Sequence, residues 1–286
     1  MQIRVPKNSL LHESNTINVF LRISYDGTDY GGWQRQANHP HTIQQTIEEL
    51  LSEALGEQIS IAGCGRTDAG VHASQFYLYF SASRSLPKNF LFFMNKKLPN
   101  DIAFLEAIPV DENAHVCIDA NRRTYDYFFH DFADPWLDRS STQFYLAEFD
   151  AQAVAKLLPA LTRCNDFRQF CLTPDRHNST SVEFFDATLF QNKAGNRFRI
   201  RFVANRFLRG MIRILMHDLV AVGTGEVPAE RFLSMLAGAD RGKPVQIAGP
   251  QGLYLTGVCY PYIEREAELP LCGQSDWVQV DRVSPN

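Results

Sequence analysis

Residues 63–73, Gly63-Cys64-Gly65-Arg66-Thr67-Asp68-Ala69-Gly70-Val71-His72-Ala73, form a glycine-rich polar turn between two stretches with strand character. Glycine permits positive φ and lets another chain approach the backbone closely. Strands are predicted at 58–62 and 75–82, so Asp68 is expected at a sheet edge with room for a substrate beside it. On these residues alone, an ordinary β-turn in which Asp68 caps its own backbone is the competing interpretation.

Outward from this turn, the first half of the chain alternates strands and helices. Residues 17–24 alternate apolar and polar residues, as a half-buried strand does. A helix is predicted to begin after the capping residue Thr42 and to end at Gly56. A second helix at about 88–97 and a strand at 101–109 complete the order strand, helix, strand, strand, helix, strand. That order is typical of a ferredoxin-like domain.

The second half repeats this order of elements without repeating the sequence. We predict a strand, a helix, two strands, two helices and a last strand, at residues 122–131, 150–162, 181–191, 197–204, 205–222, 228–237 and 253–260. The prediction is therefore an α+β protein with two ferredoxin-like (RRM-like) domains, residues 17–118 and 119–262. Residues 1–16 are predicted to be a loose N-terminal segment and residues 263–286 a loose tail.

The composition is that of an ordinary globular protein, with 286 residues, 45% of them hydrophobic and 21% charged. A net charge of −4 argues against a sequence-blind nucleic-acid coat protein but not against a local basic groove. The six cysteines form no C-x-x-C pair, which favours a reducing, cytoplasmic compartment and argues against a zinc site. The chain has no secretory signal and no apolar run of about 18 residues, so no membrane segment is expected.

Two arginine patterns are candidates for contacts with phosphate. In residues 197–202, RFRIRF, the arginines share one face of a strand and the apolar residues share the other. Such a face could follow an RNA backbone, or acidic neighbours could balance it, and the sequence leaves both open. On the predicted helix 205–222, Arg206, Arg209 and Arg213 are expected on one face. A solvated polar face is the alternative there.

The segment GRTDAGVHA, residues 65–73, resembles the active-site motif of the TruA family of tRNA pseudouridine synthases. Further motifs of this family occur in the same order along the chain: Y-D-G at 25–27, Y-G-G-W-Q-R-Q at 30–36, T-I-Q at 42–44, N-x-x-L-P-N-D-I at 95–102, R-T-Y-D-Y at 123–127, D-F at 166–167, N-R-F-L-R-G-M-I-R at 205–213 and G-L-Y-L at 252–255. The resemblance covers about residues 18–262, and several concordant motifs are more specific than one.

The resemblance implies roles for five residues. Pseudouridine formation breaks a glycosidic N–C bond and rejoins the base through carbon without oxidation or hydrolysis, so no cofactor and no metal are expected. Asp68 is implied as the nucleophile, and Arg213 as the cation that holds this carboxylate ionised through two hydrogen bonds. Tyr125 is implied against the target uracil, where it could stack and help to remove the C5 proton. Arg66 is implied in the RNA stack vacated by the flipped base, and Leu253 in the substrate site.

Structural alternatives accompany these implied roles. Tyr125 could be a core tyrosine, as Tyr127 on the same face is expected to be, and Arg66 could simply tie the turn together. For the whole molecule, the resemblance implies one extended, mostly antiparallel sheet with helices on one side and a central active-site cleft. It also implies a homodimer that acts on the tRNA anticodon stem–loop, at tRNA positions 38–40.

The segment Ala114-His115-Val116-Cys117-Ile118-Asp119-Ala120 departs from the F-x-A-R-x-x-A-like run that the family carries. A cation is lost at Cys117 and an anion is gained at Asp119, which should weaken or redirect RNA binding. Two alternatives therefore stay open: a non-catalytic RNA-binding protein of the same fold, or a synthase acting on a different RNA site.

A third alternative is a metal-dependent hydrolase that uses Asp68 and His72. Their i, i+4 spacing would suit a helix, but Gly65 and Gly70 oppose a helix in this segment. No second carboxylate or histidine motif accompanies the pair.

Overall fold

The computed structural model describes residues 16–38, 41–145, 148–263 and 265–280. Within these ranges, ten strands and five α-helices are present. The strands are β1 (Ile17–Tyr25), β2 (Ala62–Gly63), β3 (His72–Ala82), β4 (Ile102–Pro109), β5 (Arg122–His130), β6 (Thr142–Gln143), β7 (Phe184–Asn192), β8 (Arg197–Ala204), β9 (Leu253–Cys259) and β10 (Trp277–Gln279). The helices are α1 (Ile43–Leu55), α2 (Phe90–Lys97), α3 (Ala151–Leu157), α4 (Met211–Gly223) and α5 (Ala229–Leu236).

The described strands form one sheet in the order β10-β7-β8-β5-β9-β3-β1-β4, with β2 beside β3 and β6 beside β5. Neighbouring strands are antiparallel, except that β3 pairs with β9 and β5 with β6 in parallel. The first half has the order β4-β1-β3-β2 and the second the equivalent order β9-β5-β8-β7. This confirms the predicted α+β fold, in which two ferredoxin-like halves share a mostly antiparallel sheet.

The two halves join because β2 is shorter than the strand predicted at 58–62. The two residues of β2 pair only with the middle of β3. The first residues of β3 therefore remain free to pair with β9, at Tyr254 and Leu255. β3 also begins at His72, earlier than the predicted strand 75–82, so the glycine-rich turn lies directly at the junction between the halves.

The helices cover one face of this sheet. Helix α1 is capped as predicted: the Thr42 hydroxyl accepts a hydrogen bond from the Gln45 N–H, and Gly56 ends the helix with φ of 68°. Aromatic rings fill the space between helices and strands in the second half, where Phe129 stacks on Phe198 at 5.0 Å and Phe149 meets both rings. The core is therefore continuous from one half to the other.

Residues 265–280 cross the helix-free face of the sheet, whereas a loose tail is expected from their sequence. The Gln75 side chain donates to the Glu266 carbonyl and accepts from the Val258 N–H, bridging the gap where β9 leaves β3. Farther along, β10 pairs with β7. Residues 265–276 run across several strands, and only Trp277–Gln279 join the edge of the sheet as β10, so most of this segment has no alternating pattern from which its contacts could be predicted. Residues 1–15 and 281–286 lie outside the described residues.

The arginines of RFRIRF face this covered side of the sheet. Arg199 is 4% exposed and lies 2.7 Å from the buried Asp126 carboxylate, and Arg201 contacts the same carboxylate at 3.1 Å. Burial lowers the pKa of Arg199, and Asp126 opposes that shift. The Trp277 ring lies over Arg199, 5.5 Å from its guanidinium carbon. Of the two interpretations of this strand, phosphate binding or balance by acidic neighbours, the second therefore holds for Arg199 and Arg201.

Helix α4 begins at Met211, six residues after the predicted start at 205. Gly210 precedes it with φ of 70°, a left-handed conformation that cannot continue a right-handed helix. A Cβ at Gly210 would also lie 2.6 Å from the Leu172 side chain, which would have to shift to admit it. The expected helical face of Arg206, Arg209 and Arg213 is consequently wrong, because only Arg213 lies on the helix.

Candidate active site

The loop between β2 and β3 is held in place by Tyr25 and Trp33, which belong to the two motifs nearest the N-terminus. The Thr67 hydroxyl and the buried Tyr25 hydroxyl lie 2.9 Å apart, and the Thr67 carbonyl accepts a hydrogen bond from the Trp33 N–H at 3.1 Å. Trp33 in turn stacks on Phe76 of β3 at 4.1 Å. These contacts fix Thr67 and therefore the position of its neighbour Asp68.

Two glycines of the N-terminal motifs make this close approach possible. A Cβ at Gly27 would lie 2.0 Å from the Val71 carbonyl oxygen. A Cβ at Gly32 would lie 2.6 Å from the Thr67 carbonyl oxygen, and Gly32 has φ of 94°. The Y-D-G and G-G-W motifs thus serve as the floor of the Asp68 loop, a role that only the tertiary structure reveals.

Asp68 and Arg213 meet across the junction between the halves. The Arg213 Nη1 lies 3.5 Å from the Asp68 Oδ2, and the side chains are 13% and 34% exposed. The Arg213 Nε donates instead to the Ala248 carbonyl at 2.7 Å. The pairing that the sequence led us to expect is present, but with one long contact to the carboxylate rather than two. The other donor fixes the guanidinium against the loop before β9.

Tyr125 lies on β5 with 8% of its surface exposed, edge-on to Phe207 at 5.1 Å. No hydrogen bond joins its hydroxyl to another side chain or backbone group in the described ranges. Burial raises the pKa of Tyr125 well above its usual range, with the nearby Cys64 and Asp68 raising it further and Arg123 opposing them. The Tyr125 phenol therefore stays protonated near pH 7.

A cavity of about 550 Å³ opens beside Tyr125. Its wall is formed by the start of the Asp68 loop, the 117–121 segment and the residues that follow β8. Arg66 and Arg206 line it, and neither side chain has a hydrogen bond or ion pair with the described part of the chain. Arg66 therefore does not tie the turn together, which removes the structural alternative for this residue.

Leu253 and His72 lie on either side of the strand junction. Leu253 begins β9, is 6% exposed and is paired with Tyr127 of β5. His72 is 2% exposed, stacks on Tyr254 at 4.4 Å, and its Nδ1 accepts from the Gly27 N–H at 3.1 Å. These contacts turn the His72 ring into the protein, so it is not available to form a metal pair with Asp68.

Arg123 is a site residue for which no chemical role was predicted from the sequence. Its Nη1 donates to the carbonyls of Ala120 and Asn205, each at 2.9 Å. Its Nη2 donates to the carbonyls of Cys64 and Cys117, at 2.8 Å and 2.9 Å. One guanidinium thus joins all three segments that wall the cavity. The acceptors are backbone carbonyls, so no pattern of residue types in the sequence could predict these contacts.

Two features are absent from the described residues. No group of three or more histidine, cysteine, aspartate or glutamate side chains is arranged there to hold a metal ion. None of the helices in those ranges is long and apolar enough to span a membrane.

The fold and the site together define a class: an α+β protein of two ferredoxin-like halves, with a loop aspartate paired to an arginine at their junction. A family model described as tRNA pseudouridine synthase matches residues 22–118 and 164–261. The chain belongs to this family.

Individual relatives cover most of the chain. A protein of Porphyromonas gingivalis named tRNA pseudouridine synthase A is 31% identical over 245 residues, covering 85% of this chain and 96% of the relative. A protein of the same name from Caldicellulosiruptor bescii is 34% identical over 248 residues, covering 85% and 99%. Another from Gloeobacter violaceus is 34% identical over 252 residues, covering 87% and 82%.

Proposed function

We propose that this protein converts uridine to pseudouridine in the anticodon stem–loop of tRNA, at tRNA positions 38–40, with Asp68 as the nucleophile. The observation that carries the proposal is the Asp68 carboxylate, 3.5 Å from Arg213 in a loop next to the cavity lined by Tyr125. Membership of the tRNA pseudouridine synthase family supports the substrate and the reaction.

The reaction is an isomerisation, so its atoms balance within the nucleotide. The bond between N1 of uracil and C1′ of ribose breaks, the base rotates, and a bond forms between C5 and C1′. The C5 proton is lost and N1 gains a proton. A carboxylate such as Asp68 can stabilise the broken intermediate covalently, provided that it is ionised. A fixed guanidinium such as Arg213 favours the ionised form.

The remaining residues position the RNA. The neutral Tyr125 ring is suited to stack on the target uracil, and Leu253 contributes to the apolar side of the same substrate site. Arg66 is exposed and unpaired within the described ranges, which suits a side chain that fills the gap left by a flipped base. Unstacking a base costs a few kcal/mol, and such a filling residue offsets part of that cost.

The proposal includes a homodimer in the cytoplasm, as the family resemblance implies. All six cysteines are free thiols, which suits a reducing compartment.

The test is pseudouridine mapping of tRNA from cells with the gene deleted, complemented with wild-type protein or with Asp68→Asn. We expect anticodon-arm pseudouridine to be lost on deletion, restored by the wild type and not restored by Asp68→Asn. Purified Asp68→Asn should still bind tRNA and unfold at the wild-type temperature, because the substitution leaves shape and packing unchanged. Activity in Asp68→Asn would refute the nucleophile assignment.

The altered segment 114–120 supports one second candidate, a synthase for another RNA site. The cation that is missing at Cys117 carries this candidate. Asp119 does not add to it, because its Oδ2 accepts hydrogen bonds from the Tyr262 hydroxyl at 2.7 Å and the His115 N–H at 2.8 Å and is not a free anion. Loss of pseudouridine outside the anticodon arm in the deletion strain would favour this candidate. Unchanged pseudouridine throughout the RNA would favour a non-catalytic RNA-binding protein.

A further inference from the structure

Residues 115–119 form a turn whose conformation is fixed by its own polar groups. The His115 Nδ1 accepts hydrogen bonds from the Cys117 and Ile118 N–H groups, at 3.3 Å and 3.2 Å. The Asp119 N–H donates to the His115 carbonyl at 3.0 Å, and the Asp119 carboxylate holds the His115 N–H and the Tyr262 hydroxyl. The turn is therefore closed on itself and anchored to the segment that follows β9.

The tip of this turn presents an apolar side chain to solvent. Ile118 is 76% exposed and lines the cavity next to Tyr125. A single exposed isoleucine is ordinary on a protein surface. Here, however, hydrogen bonds hold the neighbouring backbone, and the side chain lines a cavity whose wall also includes the start of the Asp68 loop.

The turn is also coupled to the catalytic loop. Arg123 donates from the same Nη2 to the carbonyls of Cys117 and Cys64, at 2.9 Å and 2.8 Å. Cys117 precedes Ile118, and Cys64 begins the loop that carries Arg66 and Asp68. The distance between Ile118 and the loop is therefore set by one guanidinium and does not depend on a flexible linker.

We propose that Ile118 is an RNA-binding residue that packs against a nucleobase flanking the target uridine. This inference rests on the proposed function. Arg66 and Arg206 supply positive charge at the same cavity, which suits phosphate groups but does not distinguish one base from another. An apolar side chain on a fixed turn adds contact with the flat face of a base, and it does so only where the RNA opens to admit the target.

The experiment compares wild type with Ile118→Ser, Ile118→Leu and Leu271→Ser, using an unmodified tRNA transcript. Leu271 is 84% exposed and lies on the opposite face of the sheet, so Leu271→Ser is the matched control. We measure KM and kcat for pseudouridine formation, the Kd for tRNA and the unfolding midpoint. Ile118→Ser should raise KM and Kd about tenfold with kcat nearly unchanged. Serine lacks the apolar surface that Ile118 buries against the bound RNA.

The other variants separate contact from structure. Ile118→Leu should restore binding because it keeps the apolar surface, and Leu271→Ser should behave as wild type. All unfolding midpoints should agree, because neither side chain is packed in the core. An Ile118→Ser protein with wild-type KM and Kd would overturn the inference. A wild-type protein that makes no pseudouridine would instead refute the proposed function, and the tRNA Kd values would still decide the role of Ile118.

Discussion

Replacing Arg213 by lysine tests how the site holds its nucleophile. Arg213 uses two nitrogens for two purposes: Nε donates to the Ala248 carbonyl at 2.7 Å, and Nη1 faces Asp68 at 3.5 Å. Lysine keeps the positive charge but has a single nitrogen at the end of a flexible chain. The variant can therefore keep the Coulombic attraction while losing one of the two fixed contacts.

The expected effect follows from that lost contact. A hydrogen bond from a charged group contributes about 1.5–3 kcal/mol, and 1.36 kcal/mol corresponds to a tenfold change in rate. If the whole contribution acts on the oriented Asp68, Arg213→Lys should slow the chemical step about 10- to 150-fold. The 3.5 Å separation is that of the free enzyme, and such contacts commonly shorten when substrate binds.

The assay is single-turnover release of tritium from tRNA labelled at C5 of uridine, with enzyme in excess. Arg209→Lys is the matched control, because Arg209 precedes α4 and its side chain has no partner within the described ranges. The single-turnover rate of Arg209→Lys should stay within about threefold of wild type, because lysine keeps the positive charge for any phosphate contact. Thermal unfolding confirms that both variants are folded at the assay temperature. A wild-type rate for Arg213→Lys would refute the view that the two fixed contacts of the Arg213 guanidinium orient Asp68.

Three further predictions concern the floor of the loop, the buried ion cluster and the aromatic wall. Gly32→Ala should destabilise the fold by about 1–3 kcal/mol and reduce activity, because a Cβ would lie 2.6 Å from the Thr67 carbonyl at φ of 94°; chemical denaturation and the tritium assay measure both effects. Asp126→Asn should destabilise by about 3–5 kcal/mol by leaving Arg199 buried without its counter-ion, and an unchanged denaturation midpoint would contradict this. Tyr125→Leu should lose more activity than Tyr125→Phe, since the phenyl ring can still stack, and the reverse order would give the hydroxyl the larger role.

The order of the elements could be predicted because it depends on local physics. Alternating residues in β1 and the Thr42 and Gly56 caps of α1 are signals that lie within a few residues of each other. The predicted start of α4 was wrong because a local helix signal conflicted with the backbone conformation that the fold imposes. Gly210 looks like an interior helix residue in sequence, but its φ of 70° cannot continue a right-handed helix, so α4 begins only after it.

The candidate site divides in the same way. Asp68, Arg213 and Tyr125 were identified because their motifs resemble those of a family, and the structure brings Asp68 to Arg213 although 145 positions separate them. The roles of Arg123 and of the Ala248 carbonyl were missed because both depend on hydrogen bonds to backbone carbonyls. Every residue has a carbonyl, so no residue type in the sequence marks such a contact.

The sequence by itself determined the α+β order of the elements and indicated Asp68, Arg213 and Tyr125 as candidate residues for the chemistry. Only the tertiary structure decided how they are used. It paired Arg199 and Arg201 with the buried Asp126 instead of leaving them free for phosphate, laid residues 265–276 across the sheet, and set Ile118 beside the cavity. The physical reason is that propensity and alternation act over a few residues, whereas charge pairing and close approach depend on which distant segments the sheet brings together.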